Sequence, residues 1–267
     1  MTDHFDGEHF FNPGRRWKKS PLDLLRWGFE GGREKWPDAH PSPFSDKPPE
    51  RVSEQAIRVS FVGHASFLVQ TAGLNILLDP VWSDRVSPVR FAGPKRVNSP
   101  GIAFDDLPMI DIVLISHNHY DHLDKKTIRN LNRINPDIIY LVPMKLKSWF
   151  QSMGTKNVYE FNWWEEKKIK NTTFTFIPVQ HWSRRGLFDK NKTLWGGWWI
   201  ENDNIKLQFA PWRYLIYTYG QVYLFYSLIF WNFSIAMVPF TGHLVYHLWY
   251  EWIHLAHHSK GYKPIFS

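Results

Sequence analysis

The chain contains no cysteine. That removes disulfides and thiolate metal sites together, so any metal must be held by histidine, aspartate and glutamate. Absence of cysteine suits a reducing compartment, and the expected location is the cytoplasm, on or anchored to the inner face of a membrane. The opening residues, Met1-Thr-Asp-His-Phe-Asp-Gly-Glu8, carry acids and no apolar core, which argues against a secretory leader. Two further absences fall late in the chain. No aspartate follows Asp203, and no Asp, Glu, Lys or Arg occurs from Tyr214 to Tyr250.

What is present is basic and aromatic. The formal charge is +7 at pH 7, with 15 tryptophans and 20 phenylalanines among 267 residues. A basic balance favours anionic partners. Aromatics with polar handles suit lipid-lined pockets and membrane interfaces as well as cores. Phosphates, membrane surfaces and nucleic acid are all anionic, and charge alone does not separate them. The sequence is silent on oligomeric state.

Residues 1–50 are rich in proline, glycine and charge, and read as an extension over the domain with one short helix around Ser20–Phe29. From Ala56 the text turns to strands: Ile57–Val62, Ser66–Thr71 and Leu74–Leu78, with a hairpin break at Thr71-Ala-Gly73. Helical spacing starts after Asp124, a good N-cap, and runs over Lys125–Ile134; a second helix is expected over Lys145–Met153. Further strands are expected at Ile138–Val142, Val158–Phe161 and Thr172–Pro178. This alternation fits an α/β fold of two sheets sandwiched between helices. Residues 51–210 then form the domain, and 211–267 a divergent aromatic tail.

The chemistry concentrates in His117-Asn-His119-Tyr-Asp121-His122, directly after the apolar run Asp111-Ile-Val-Leu-Ile-Ser116. A short β-branched run reads as a buried strand, so the cluster sits on a loop at its end. Alternate side chains there converge on one point. His117 and His119 are placed to hold one metal, with Asp121 and His122 facing a second position. Imidazole nitrogen and carboxylate oxygen suit zinc, with iron and manganese as substitutes.

The HxHxDH pattern resembles that of the metallo-β-lactamase superfamily. Phe61-Val-Gly-His-Ala-Ser66, Leu77-Leu-Asp79-Pro80, Ser87-Pro88, Gly93-Pro-Lys-Arg96, Ser116–Asp124 and Val179-Gln-His181-Trp182 look like the branch of N-acylphosphatidylethanolamine-hydrolysing phospholipase D and its bacterial relatives. The match runs from about Asn12 to Phe209. The resemblance implies an αβ/βα four-layer sandwich, incomplete or irregular at its C-terminus. It also implies zinc-dependent hydrolysis of the phosphodiester of an N-acylated phospholipid, releasing phosphatidic acid. A phospholipid or other phosphodiester substrate and a membrane surface are then the expected partners, with no nucleic acid expected. His181 would complete the first metal site with His117 and His119. Asp121 and His122 would be both metal ligands and catalytic residues, Asp121 as ligand and proton acceptor. Asp79 has two readings: the family's acid beneath the metals, or a plain Asp-Pro turn. His64 is likewise near the family's site, but by its own context only a polar residue between strands. Trp195-Gly-Gly-Trp-Trp199 reads first as core and second as a lipid-facing wall. A lactonase or other ester hydrolase is the enzymatic alternative. A catalytically impaired, membrane-associated metal-binding protein is the non-enzymatic one.

The pattern breaks after Ala210. The family continues with Gly-Asp-Thr, whose aspartate bridges two metals; this chain has Pro211-Trp212-Arg213-Tyr214. One reading takes Leu215–Met237 as a true apolar segment, about 20 residues and long enough to span a bilayer. The other is a shifted reading frame: with AGA for Arg213 and TAC for Tyr214, translation one base later restores Gly-Asp-Thr. Either way the expected ligand count is three for the first metal position and two for the second. One tightly bound metal is expected, with a second weak or absent.

Overall fold

The computed structural model describes residues 3–13, 37–43, 45–89, 91–203 and 205–209, all within one compact unit, Met1–Pro211. The expected helix at Ser20–Phe29 and the apolar segment Leu215–Met237 lie outside the described residues. No helix among the described residues is long and apolar enough to cross a membrane.

Two sheets make the framework. The first has six strands in sequence order: β1 (Ile57–Gly63), β2 (Ser66–Thr71), β3 (Leu74–Leu78), β4 (Ile112–Leu114), β5 (Ile139–Pro143) and β6 (Asn157–Phe161). β1 to β3 are an antiparallel meander, whereas β3 to β6 run parallel. The second sheet is antiparallel: β7 (Glu166–Ile169), β8 (Thr172–Ile177), β9 (Gly197–Asn202) and β10 (Ile205–Phe209). Two helices, α1 (Lys125–Ile134) and α2 (Lys147–Gln151), connect strands of the first sheet.

Period-two alternation in the parallel strands divides the apolar side chains between two cores. Leu74, Ile76 and Leu78 of β3, Ile112 and Leu114 of β4 and Leu141 of β5 meet Phe174, Phe176, Trp198 and Ile200 of the second sheet. Leu77, Val113, Tyr140 and Val142 point the other way, against Ile128, Leu131 and Phe150 of the helices. The α/β sandwich expected from the sequence is thus present, its first sheet clad by apolar side chains on both faces. Phe10 from the N-terminal segment is buried in the intersheet core, beside Trp163 and Trp195.

Element boundaries moved where the backbone demanded it. The second helix begins at Lys147 rather than Lys145, because Lys145 has a left-handed φ of 66° and cannot start a right-handed turn. It stops at Gln151, before the turn that ends at Gly154, φ 81°. β8 stops at Ile177, because Pro178 has no N–H to continue a ladder. Two indoles of Trp195-Gly-Gly-Trp-Trp199, Trp195 and Trp198, are buried core residues. Gly196 is required there, since a Cβ would lie 2.4 Å from the Phe176 ring and 2.7 Å from the carbonyl of Ile177.

Candidate metal centre

The loops that follow β3, β4 and β8, with the turn between β1 and β2, meet at one edge of the first sheet. β4 is followed by Ile115 and Ser116, whose carbonyls accept from Trp198 Nε1 and Gly196 N, both at 3.0 Å. The second sheet therefore grips the residue that immediately precedes His117. Asn12 does the same for the β8 loop: its Nδ2 donates to Val179 O at 2.9 Å and its Oδ1 accepts from His181 N at 3.3 Å. Arg185 ties the two loops together, donating from Nη1 to the carbonyls of Asn118 (2.9 Å) and Leu123 (2.8 Å). Its guanidinium lies 4.0 Å over the Tyr120 ring.

Three imidazoles converge. His117 Nε2 is 2.9 Å from His119 Nδ1 and 3.0 Å from His181 Nε2. Donor atoms of one tetrahedral zinc shell, with bonds of about 2.0–2.1 Å, stand about 3.3 Å apart, so these separations fit a three-nitrogen site. His117 is fully buried, and that burial, reinforced by the surrounding imidazoles, holds its pKa well below the ordinary value. A neutral ring offers the lone pair a cation needs.

Asp79 sits beneath the cluster. Its two oxygens accept Ser116 N (2.7 Å), Ser116 Oγ (2.6 Å) and His122 Nδ1 (2.8 Å). Because the Ser116 hydroxyl gives its proton to Asp79, its oxygen is left to accept from His117 Nδ1, 2.8 Å away. One carboxylate thereby fixes the tautomers of His117 and His122 together and turns both Nε2 atoms toward the centre. Of the two sequence readings of Asp79, the geometry matches the orienting acid. The turn is held by Ser66, whose hydroxyl donates to Asp79 O at 2.5 Å. Asp79 has φ 40°, a left-handed conformation costly for a non-glycine residue and frequent at functional sites.

Asp121 and His122 lie on the other side of His117, whose ring centroid is 4.0 Å from that of His122. His64 joins them, with Nε2 3.0 Å from Asp121 Oδ2. Burial opposes the charge on Asp121, yet the hydrogen bond from His64 and the nearby His122 and His64 outweigh it, and its carboxyl is held well below the usual range. His64, Asp121 and His122 offer donor atoms within 4.8 Å of one another, as do His117, His119 and His181.

All five sequence-assigned ligands, His117, His119, Asp121, His122 and His181, fall at this one edge. Sequence reasoning missed Asn12, Ser116 and Arg185, and assigned His64 no role from its own context. No local pattern marks them, since each acts through partners far away in the chain.

Residues 74–211, more than half of the chain, match the model of the beta-lactamase superfamily domain. Over 166 residues the chain is 39% identical to N-acyl-phosphatidylethanolamine-hydrolyzing phospholipase D 1 of Caenorhabditis elegans, covering 59% of this chain and 47% of that one. Over 127 residues it is 38% identical to the mitochondrial N-acyl-phosphatidylethanolamine-hydrolyzing phospholipase D of Saccharomyces cerevisiae, covering 46% of this chain and 27% of that one. A solved metallo hydrolase from Ignicoccus hospitalis aligns with TM-score 0.43 at 20% identity, over 58% of this chain and 60% of that chain. The chain spans about half the length of the curated relatives it matches first.

Proposed function

This chain belongs to the beta-lactamase superfamily, and on that premise we propose that it is a zinc-dependent hydrolase cleaving the phosphodiester of an N-acylphosphatidylethanolamine or a related phospholipid. The observation that carries the metal-dependent part is the convergence of His117, His119 and His181 nitrogens over a buried orienting carboxylate. Those three imidazoles would hold the cation, with Asp121 and His122 facing a second position. A bound divalent cation supplies Lewis acidity and brings the ionisation of water toward neutral pH.

The protein's own groups do the rest. Asp79 and Ser116 hold the His117 and His122 rings in single tautomers, so nothing need reorganise at the moment of reaction. Asp121, held ionised, is an anionic donor and a weak base. The Trp182 ring closes one wall, edge-on to His119 with centroids 4.3 Å apart. Hydrolysis adds water across a P–O bond, leaving phosphatidic acid and an N-acylethanolamine.

The lipid part is supported by the two phospholipase D relatives and by the loop that carries His181. Leu187 and Phe188 are 76% and 87% exposed there, beside Arg184 and Lys190. Apolar side chains among cations suit an anionic lipid interface.

The test is turnover by the purified chain of N-acylphosphatidylethanolamine in mixed micelles, before and after chelation and with zinc restored. Zinc-dependent release of phosphatidic acid is expected. Opening of a lactone without phosphatidic acid would move the protein to the ester-hydrolase class. Neither product at any metal load would leave only the non-catalytic metal-binding reading.

A further inference from the structure

We infer that His64 is a direct ligand of the second metal position, completing with Asp121 and His122 a set of three side chains that draws nothing from beyond Ala210. The inference rests on the metal-dependent reading above.

Counting ligands along the sequence leaves the second position with Asp121 and His122 alone, because Gly-Asp-Thr is replaced by Trp212-Arg213-Tyr214. The fold supplies a third donor from the opposite end of the domain. His64 occupies the turn between β1 and β2, where φ is 53°. An imidazole tolerates that left-handed conformation less readily than glycine does, and here it aims the ring into the centre. Asp121 Oδ2 stands 3.0 Å from His64 Nε2 and 3.8 Å from His122 Nε2. These are separations that two donors in one coordination shell adopt around a cation bound at about 2.0–2.2 Å. His122 gives its Nδ1 proton to Asp79, so the nitrogen it turns to Asp121 is the one with the lone pair. The His64 and His122 rings meet nearly edge to face, with centroids 5.2 Å apart. Two neutral nitrogens and one carboxylate are a donor set that zinc accepts with a water position left over.

A plain ion pair between His64 and Asp121 would place the same atoms at the same distance, and metal content separates the two. Zinc would be titrated into the metal-free full-length chain against a chromophoric chelator, comparing the parent with His64→Gln, His64→Ala and His117→Ala. Glutamine carries its amide nitrogen as far from Cβ as imidazole Nε2 and can still donate to Asp121, so a positioning role survives in His64→Gln while an imidazole ligand is lost. The differences from the parent cancel zinc held by histidines elsewhere. Both His64 variants are expected to lose one equivalent, or to hold it at least tenfold more weakly, with the His117-dependent equivalent unchanged. Their metal-free melting curves should overlay that of the parent. Cobalt substituted at the second position should lose visible absorption in both.

Retention of the second equivalent at parental affinity in both His64 variants would overturn the inference. So would loss in His64→Ala that His64→Gln fully restores, since that marks the ion pair alone. A parent chain with a single zinc equivalent would overturn it while leaving the hydrolase proposal standing. A parent chain that binds no zinc would overturn both.

Discussion

Asp79 and His122 are joined by a 2.8 Å hydrogen bond from imidazole Nδ1 to a carboxylate that simultaneously accepts twice from Ser116. The acid is 7% exposed, so these three donors are its principal solvation. Replacing it with an isosteric amide puts N–H where an acceptor is needed and lets both histidine rings choose the wrong tautomer. Asp79→Asn is expected to weaken zinc binding about 10- to 100-fold, as measured by chelator competition. It should also lower stability by about 1–3 kcal/mol in urea melts of the metal-free chain.

Arg185 makes a different demand. Its two hydrogen bonds to Asn118 O and Leu123 O brace the loop bearing His117 to His122 from the loop bearing His181. Lysine retains the charge but not the planar fork or the stacking on Tyr120. Arg185→Lys is expected to destabilise the fold by about 1–2 kcal/mol. It should also raise the zinc dissociation constant, whereas a purely surface arginine would change neither.

Asp46 gives a pH prediction away from the metals. Its carboxylate accepts from the Ser60 hydroxyl and, at 2.6 Å, from Arg58. The Ser60 hydrogen bond, aided by Arg58 and opposed by burial, lowers its pKa. A carboxyl depressed in the folded state stabilises above its unfolded pKa, and loses that contribution as pH falls through the folded value. Asp46→Asn should therefore be less stable than the parent at pH 7, by under about 1 kcal/mol given the partial exposure. The gap between the two urea midpoints should narrow as pH falls below the ordinary carboxyl value of 3.8, and close once the folded carboxyl is protonated as well.

Phe188, exposed on the loop after His181, is expected to partition into lipid. Burying one aromatic side chain is worth about 1.5–3 kcal/mol. Phe188→Ser should accordingly weaken binding to phosphatidylglycerol-containing vesicles by at least tenfold in sedimentation. Cleavage of a short-chain, monomeric phosphodiester should be unaffected. Equal vesicle binding by parent and variant would remove this loop from any membrane contact.

Legibility from sequence followed the range of the interactions. Ser66–Thr71, Leu74–Leu78 and Lys125–Ile134 came out to the residue, because their apolar periods and the Asp124 cap are local facts. β7, Glu-Lys-Lys-Ile at 166–169, carries three charges in four residues and reads as surface loop; only pairing with β8 makes it a strand. At the metal centre, the histidine cluster was legible because its members crowd into six residues and their chemistry is distinctive. Ser116 was not, since a serine at a strand end is ordinary until Asp79 lies beneath it. His64 and Asn12 were illegible for the same reason at longer range, 57 and 169 residues from the partners they meet.

The approach of His117 Nε2 to His181 Nε2 joins residues 64 positions apart, one on the loop leaving the first sheet and one on the loop leaving the second. A cation shared by these rings is a reversible cross-link across the seam between the sheets, in a chain that has no disulfide to serve that purpose. Chain-entropy reasoning for a covalent tie of that span gives a ceiling of roughly 4 kcal/mol. On the metal-dependent reading proposed above, cation availability would set how firmly the two halves are clasped as well as whether the protein reacts, and metal starvation would be expected to loosen the seam between the sheets.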